Sequence, residues 1–507
     1  MNINTIEMNK ARDAALAANR ITKDILSPTH RTIKNSIWLI VHPLILNVIS
    51  IFATAYIART LGQGDYGKFI FAFAFVSMFT PITNLGLRAI VVREIAENKG
   101  KVCEFAGGII TLRIILSLIA IITIVVSSNM IGYPSYTKII IYIASLQILF
   151  MAIGTTLMDV FQAFEKMEYV AYAQFVSGLI LTILSIIVMA IGKRVVGLTM
   201  VYVFGSFLLF IISAYLIIKK MHTTPILKIN FRFWKTSIYK GSPFFFPNLL
   251  SIFGDKIGII LLSSIAGEAS VGIYAAGSIL VDRLVVIPDS VCTAIFPTLS
   301  VVYKNSKEEA AQLVNKFFNY LFLLALPIAI GSTLLAGPII NLIYGAKFEQ
   351  SVVILRILAW WIFFIFITSI QAWALGSIHQ EKKGAKVRFF TVPFFVVMTL
   401  ILAPMAKEKG VAIASLITSI ISFILISYQI RKYLAINVLK NRVLLKIALA
   451  NIVMAFFVFL LHRHNLFLST TAGLISYVIM LIALRIIRTS DILLIKSLFF
   501  KNNANKL

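Results

Sequence analysis

About fourteen apolar runs of some 20 residues each follow one another along this chain, and no other feature restricts its fold as strongly. A helix crosses a bilayer core about 30 Å thick in roughly that length. Inside lipid each backbone N–H and C=O must find a partner within the protein, so consecutive unbroken apolar runs fold as a helix bundle. The runs lie near 36–58, 69–90, 107–128, 137–157, 170–192, 196–218, 243–266, 272–298, 317–336, 350–376, 387–405, 410–430, 445–462 and 467–487. Of 507 residues, 59% are hydrophobic and 13% charged, where soluble domains carry about 25% charge. The fold class expected is an all-α polytopic membrane protein.

The net charge of +27 suggests nucleic acid only if the basic residues are pooled without regard to position. They are not evenly placed. With both termini inside, the inner connections hold about 34 Lys and Arg and the outer ones about 9, the asymmetry that orients membrane proteins. The richest inner stretches are the first 34 residues, "KKMHTTPILKINFRFWKTSIYK" and "RKYLAINVLKNRVLLK". A cytoplasmic membrane location follows, with membrane lipids as neighbours and no nucleic-acid partner. The polar N-terminus is no cleavable signal peptide, and residues up to about Leu26 read as a surface helix stopped by Ser27-Pro28. Cys103 and Cys292 form no disulfide framework, "HRH" at 462–464 is a poor metal motif, and no cofactor is implied.

One stretch imitates a nucleotide site. "LGQGDYGKF" at 61–69 contains Gly62-x-x-x-x-Gly67-Lys68, most of a phosphate-binding loop. Phe69 stands where Ser or Thr should hold magnesium, no strand precedes it, and the stretch falls in an outer turn where ATP is absent. Its glycines instead let one helix end and another begin. A second turn, "AGEASVGIYAAGSILV", places Gly267 over Gly62 and Gly272 over Gly67. Six helices separate the two turns, so the repeat they mark is parallel, about an axis along the membrane normal. The chain divides into a basic segment 1–34, an N-lobe 35–220 (spans one to six), a basic linker 221–242, a C-lobe 243–432 (spans seven to twelve) and a final piece 433–507 with two further spans and a basic tail.

"ARTLGQGDYGKFIFAFAF", "NLGLRAIVVREIA" and "GDKIGIILLSSIAGEASVGIYAAGSILVDRLVVIPDSVCTAIFPTLS" resemble the polysaccharide-exporter branch of the multidrug/oligosaccharidyl-lipid/polysaccharide flippase superfamily. These are the Wzx-type flippases of O-antigen and teichuronic-acid repeat units. The resemblance spans the first ten runs and continues by hydropathy alone. It implies a V-shaped pair of six-helix lobes, alternating access, and a polyprenyl-diphosphate-linked oligosaccharide as cargo. It also implies a setting with a polysaccharide polymerase and glycosyltransferases, and H+ or Na+ as a coupling ion.

Ionisable residues inside a span cost about 2.5–3.5 kcal/mol each on insertion scales, so each demands a reason. Six stand out: Arg113, Asp255, Lys256, Asp282, Arg283 and Arg356. Counted from a turn near Glu268–Ala269, Asp255 and Asp282 are equally distant, and at about 1.5 Å per residue both reach the bilayer midplane. Asp255-Lys256 and Asp282-Arg283 therefore meet at one depth, where transporters hold substrate and coupling ion. Cross-pairing of Asp255 with Arg283, or of Lys256 with Asp282, is available. The quartet reads either as a structural lock or as a site in which Asp255 and Asp282 take the ion and the cations meet phosphate. Arg113 can snorkel or face a cavity, and Arg356 is open in the same way. Arg88 either guards the inner mouth or only follows the positive-inside rule. Asn84 and Thr80, at helical spacing from it, extend a polar stripe that reads as helix–helix glue or as part of a site. The candidate substrate contacts are thus Arg88, Arg113, Lys256, Arg283, Arg356 and Asn84.

The leading function is a flippase for lipid-linked repeat units, with no covalent catalysis. A lipid II flippase carries the same diphosphate and stays open. A multidrug cation antiporter would favour acidic and aromatic lining. A polymerase or ligase would need a large outer loop, and no outer connection exceeds roughly fifteen residues.

Overall fold

The computed structural model describes residue 46 and residues 49–221, 224–434, 442–461 and 465–486. The expectations for the first 34 residues, for most of the start of the first span, for "HRH" and for the basic tail lie outside these. All regular structure among the described residues is helical. In chain order it comprises α1 (49–77), α2 (Thr80–Asn84), α3 (Leu87–Glu97), α4 (Val102–Ile131), α5 (Ser135–Ala163), α6 (Met167–Ala190), α7 (Arg194–Met221), α8 (Phe231–Asp282), α9 (Val286–Asn305), α10 (Lys307–Leu334), α11 (Ala336–Tyr344), α12 (Ser351–Ser377), α13 (Glu381–Arg431), α14 (Arg442–Leu461) and α15 (Leu466–Ala483).

Large apolar side chains stand open along these helices: Met130 is 82% exposed, Phe459 64% and Ile482 64%. Surfaces of that kind are stable against acyl chains and not against water, so the chain is a multi-pass membrane protein. Eleven helical stretches among the described residues are long and apolar enough to cross a bilayer. Sequence hydropathy counts fourteen runs. The counts differ because three stretches, Ile49–Asn84, Phe231–Asn305 and Glu381–Arg431, are longer than one crossing and hold turns too short to interrupt the helical run. Gly62 (φ 73°) turns the first, Gly267 (φ 80°, ψ 172°) the second and Lys407 (φ 49°, ψ −127°) the third. At the third turn a Cβ on Gly410 would stand 2.2 Å from the carbonyl oxygen of Leu402. Eight residues of continuous helix would set those positions about 12 Å apart, so the chain reverses there.

The described residues form two compact units, one of those up to 53 together with 76–249, the other of 54–75 and those from 250 onward. In the first, Val91 and Ile95 of α3, Ile109 and Leu112 of α4, Val160 and Phe161 of α5 and Ile217 of α7 form a closed core. The basic stretch after α7 belongs to this core. Ile226 donates its backbone N–H to Cys103 (2.9 Å), and buried Trp234 donates Nε1–H to the Gly108 carbonyl (3.0 Å). Lys228 pairs with Glu104 at 3.1 Å and Lys240 with Glu94 at 2.7 Å. Lys240 holds the Glu94 carboxyl below its usual range, through a hydrogen bond more than through charge at a distance.

In the second unit the two glycine turns meet. A Cβ on Gly67 would lie 1.7 Å from the Glu268 carbonyl oxygen, and one on Gly272 would lie 2.1 Å from the Gln63 carbonyl oxygen. The repeat register that sets Gly62 over Gly267 also sets Gln63 over Glu268, so these contacts exchange under a two-fold rotation. That reciprocity is what an isologous contact requires. Elsewhere in this unit α14 and α15 join α10, where Tyr477 donates its hydroxyl to the Leu323 carbonyl at 2.7 Å.

Candidate functional site

The helix expected over 69–90 does not run through. Pro81 sits in the first turn of the short α2, and Leu85 (φ 40°) and Gly86 (φ 75°) then both take left-handed conformations before α3 begins. This break aims Asn84 and Arg88 at one point. The Asn84 side-chain oxygen accepts from the Arg88 backbone N–H (3.3 Å) and from Arg113 Nη2 (3.0 Å). Thr80 is not part of this group, since its hydroxyl donates to the Ser77 carbonyl at 2.7 Å.

Arg113 does not snorkel. It is 2% exposed, and its Nη1 donates to Thr156 Oγ1 (2.7 Å), Thr155 Oγ1 (3.3 Å) and the Ala152 carbonyl (3.3 Å). Those acceptors lie on one turn of α5, and Asp159 follows on the same face. Asp159 is buried, 3.7 Å from Arg113 Nη1 and 3.2 Å from Arg88 Nε. Arg88 also donates Nη2–H to Gln162 Oε1 at 3.3 Å, one turn further along α5. The first unit thus joins the candidates Asn84, Arg88 and Arg113 to Asp159, Thr155, Thr156 and Gln162, which sequence reasoning missed. The missed signal was the polar repeat at 155, 156, 159 and 162. It was lost because the span was ended at 157, six residues before α5 ends.

In the second unit the chain folds back at Gly267. Asp282 lies within electrostatic reach of Lys256, Asp255 and Arg283. Along an unbroken helix the 27 residues from Asp255 to Asp282 would span about 40 Å. Asp255 forms its ion pair with Arg388 of α13, at 3.8 Å, and not with Arg283, the expected partner. Both side chains of that pair are more than half exposed. Tyr274 lies near Asp282 and beside Ser415. Asp289, on α9 within a span and also passed over in the sequence, lies beside Trp373 of α12. Arg356 stands exposed on α12 and enters none of these bonds.

Each unit therefore carries a charged group inside its apolar helices. The first has two guanidiniums against one carboxylate. The second alternates signs, with Lys256, Arg283 and Arg388 beside Asp255 and Asp282. Guanidinium groups with open N–H donors suit phosphate oxygens, which they can meet in pairs. Neither group contains a nucleophile aligned with a base.

Residues 32–303 match the family described as polysaccharide biosynthesis protein. A protein of Shigella flexneri called "Putative O-antigen transporter" is 23% identical over 78% of this chain and 97% of its own length. The capsular polysaccharide biosynthesis protein CapF of Staphylococcus aureus is 20% identical over 78% of this chain and 98% of its own. Among solved structures, the inward closed conformation of the lipid II flippase MurJ aligns with TM-score 0.74 and 16% identity, covering 88% of this chain and 98% of that one. An inward-facing multidrug resistance MATE family transporter of the MOP superfamily aligns at 0.61 and 15%, over 78% and 98%. The fold is that of this superfamily.

Proposed function

We propose, for a chain that belongs to the polysaccharide biosynthesis protein family, that it carries polyprenyl-diphosphate-linked oligosaccharide repeat units from the inner to the outer leaflet of the cytoplasmic membrane. The observation that supports this most directly is the Arg88–Arg113 pair, two cations sharing one carboxylate among apolar helices. A lipid diphosphate is the anion that such a site, open to a hydrophobic carrier, is suited to receive. Lys256 and Arg283 give the second unit a further cationic contact, and Arg356 adds one on α12. Asp255 and Asp282 are the groups to take up H+ or Na+ if the cycle draws on an ion gradient. Alternating exposure of the site to the two leaflets moves the head group without breaking a covalent bond, so no enzyme activity is required. The excess of inner Lys and Arg supports cytoplasmic termini, and the polymerase and glycosyltransferases that consume and supply the cargo are its natural partners.

A lipid II cargo presents the same diphosphate, so the discriminating experiment compares the two. Deletion of the gene should remove surface polysaccharide and leave repeat units on the inner leaflet, while peptidoglycan synthesis continues. Plasmid copies with Arg88→Ala, Asp255→Asn, Asp282→Asn or Arg283→Ala should reach the membrane and fail to restore export. Arrested peptidoglycan in the deletion strain, or full export from all four variants, would refute the reading.

A further inference from the structure

The two arginines of the first unit are held very differently. Arg113 is fixed by four acceptors on its Nη atoms, whereas Arg88 has a side chain 65% exposed and only its inner edge engaged, by Asp159 and Gln162. Arg88 Nη1 has no partner among the described residues. Asp159 is poorly held for a buried carboxylate. Its Oδ2 makes no hydrogen bond, and its distance to Arg113 is 3.7 Å, where charge-assisted bonds close to about 2.7–2.9 Å. Arg113 Nε is likewise buried without a hydrogen-bond partner. Arg88 and Arg113 are the charged groups that act on Asp159. The cluster is therefore one negative charge short, with a loosely seated internal anion between an anchored cation and an open one.

We propose that Asp159 is a resident counter-ion for Arg88, and that an arriving diphosphate takes its place on that guanidinium. This rests on the cargo assigned above. While the site is empty, Asp159 keeps Arg88 paired at small cost. When the diphosphate engages the outer edge of Arg88, the carboxylate turns fully to Arg113, whose Nε is unoccupied. When the cargo leaves, Asp159 recaptures Arg88 and so favours release. The positioning role belongs to Asp159, and the ligand contact to Arg88.

The test uses full-length protein in phosphatidylcholine nanodiscs with inorganic pyrophosphate as probe, read by calorimetry. Asp159→Asn removes the competing charge and should tighten binding about tenfold, while slowing export in complemented cells. Asp159→Glu keeps the charge on a longer arm and should bind no more tightly than the natural protein, which guards against a trivial effect of altered folding. Arg88→Ala should lose binding in either background. Binding that is unchanged or weaker in Asp159→Asn, with melting temperature retained, overturns the counter-ion role and leaves the cargo assignment standing. Absence of pyrophosphate binding by the natural protein overturns both. Discs with added phosphatidylglycerol separate the sources of phosphate: binding that survives there supports a diphosphate ligand, and binding abolished there overturns that ligand in favour of a lipid head group.

Discussion

Arg113 illustrates how a charge is kept inside an apolar bundle. A buried ion pair rarely adds stability over an apolar substitute, but removing one member leaves the other stranded. Arg113→Ala would strand Asp159 with only the exposed Arg88 beside it, and would free Thr156 and Asn84 from their donor. A loss of about 3–5 kcal/mol is expected, seen as a lowered melting temperature in detergent. Arg88→Ala should cost less, because its side chain is mostly open and Arg113 stays beside the buried Asp159. Equal destabilisation by the two would contradict this picture of the cluster. At this scale the sequence was readable where a charge lay well inside an apolar run, as with Arg113, Asp255 and Asp282. It was unreadable near run ends, because hydropathy does not say where a helix stops. Asp159 lies two residues beyond the run ending at 157 and Arg388 at the edge of the run starting at 387, so neither stands out. Lateral partners such as Arg388 for Asp255 depend on which helices are neighbours, which no single-span pattern encodes.

At the scale of elements, two junctions make contrasting demands. The meeting of the Gly67 and Gly272 turns admits no side chain, since the obstructing atoms are backbone carbonyls that cannot rotate away. Gly272→Ala should therefore force the turns apart, with a stability loss of about 1–3 kcal/mol or more. Gly64→Ala, in the same turn but with open space around it, should be nearly neutral in a melting assay. The equivalence of Gly62 and Gly67 with Gly267 and Gly272 was legible as a repeat, but the mutual contact was not, because self-similarity states a symmetry without stating what the axis passes through. The second junction ties the basic stretch after α7 to α3. Glu94 is held below the usual carboxylate range by Lys240, so the pair contributes its full stability above an unperturbed carboxylate pKa of about 4.5. That contribution is lost as pH falls through the lowered folded-state value. The pair is partly open, and its worth is at most about 1 kcal/mol. Lys240→Gln should therefore lower the melting temperature slightly at pH 7, by a difference that shrinks as the pH falls below about 4.5. A difference that persists at the acidic end would mean that Lys240 acts by packing.

For the whole molecule the governing constraint is that lipid tolerates only internally paired backbone, and that constraint is written along the entire chain. The all-helical bundle was readable for this reason, and its hairpins were hidden from a count of helices because Gly62, Gly267 and Lys407 turn the chain within a residue or two. Orientation rests on a different physical quantity, the placement of Lys and Arg relative to the spans, and is independent of packing. It makes a separate prediction. With Cys103 and Cys292 replaced by serine, single cysteines at Gly64 or Lys347 should react with a membrane-impermeant maleimide in intact cells. Cysteines at Lys99 or Lys307 should react only after the membrane is opened. Lys99 and Lys307 lie at the starts of helical stretches on the side assigned to the cytoplasm, and Gly64 and Lys347 in connections on the other. The reverse labelling pattern would place the basic stretch after α7 outside the cell. The Arg88 cluster would then face the leaflet that newly made repeat units do not occupy, and a carrier working from inner to outer leaflet could not load through it.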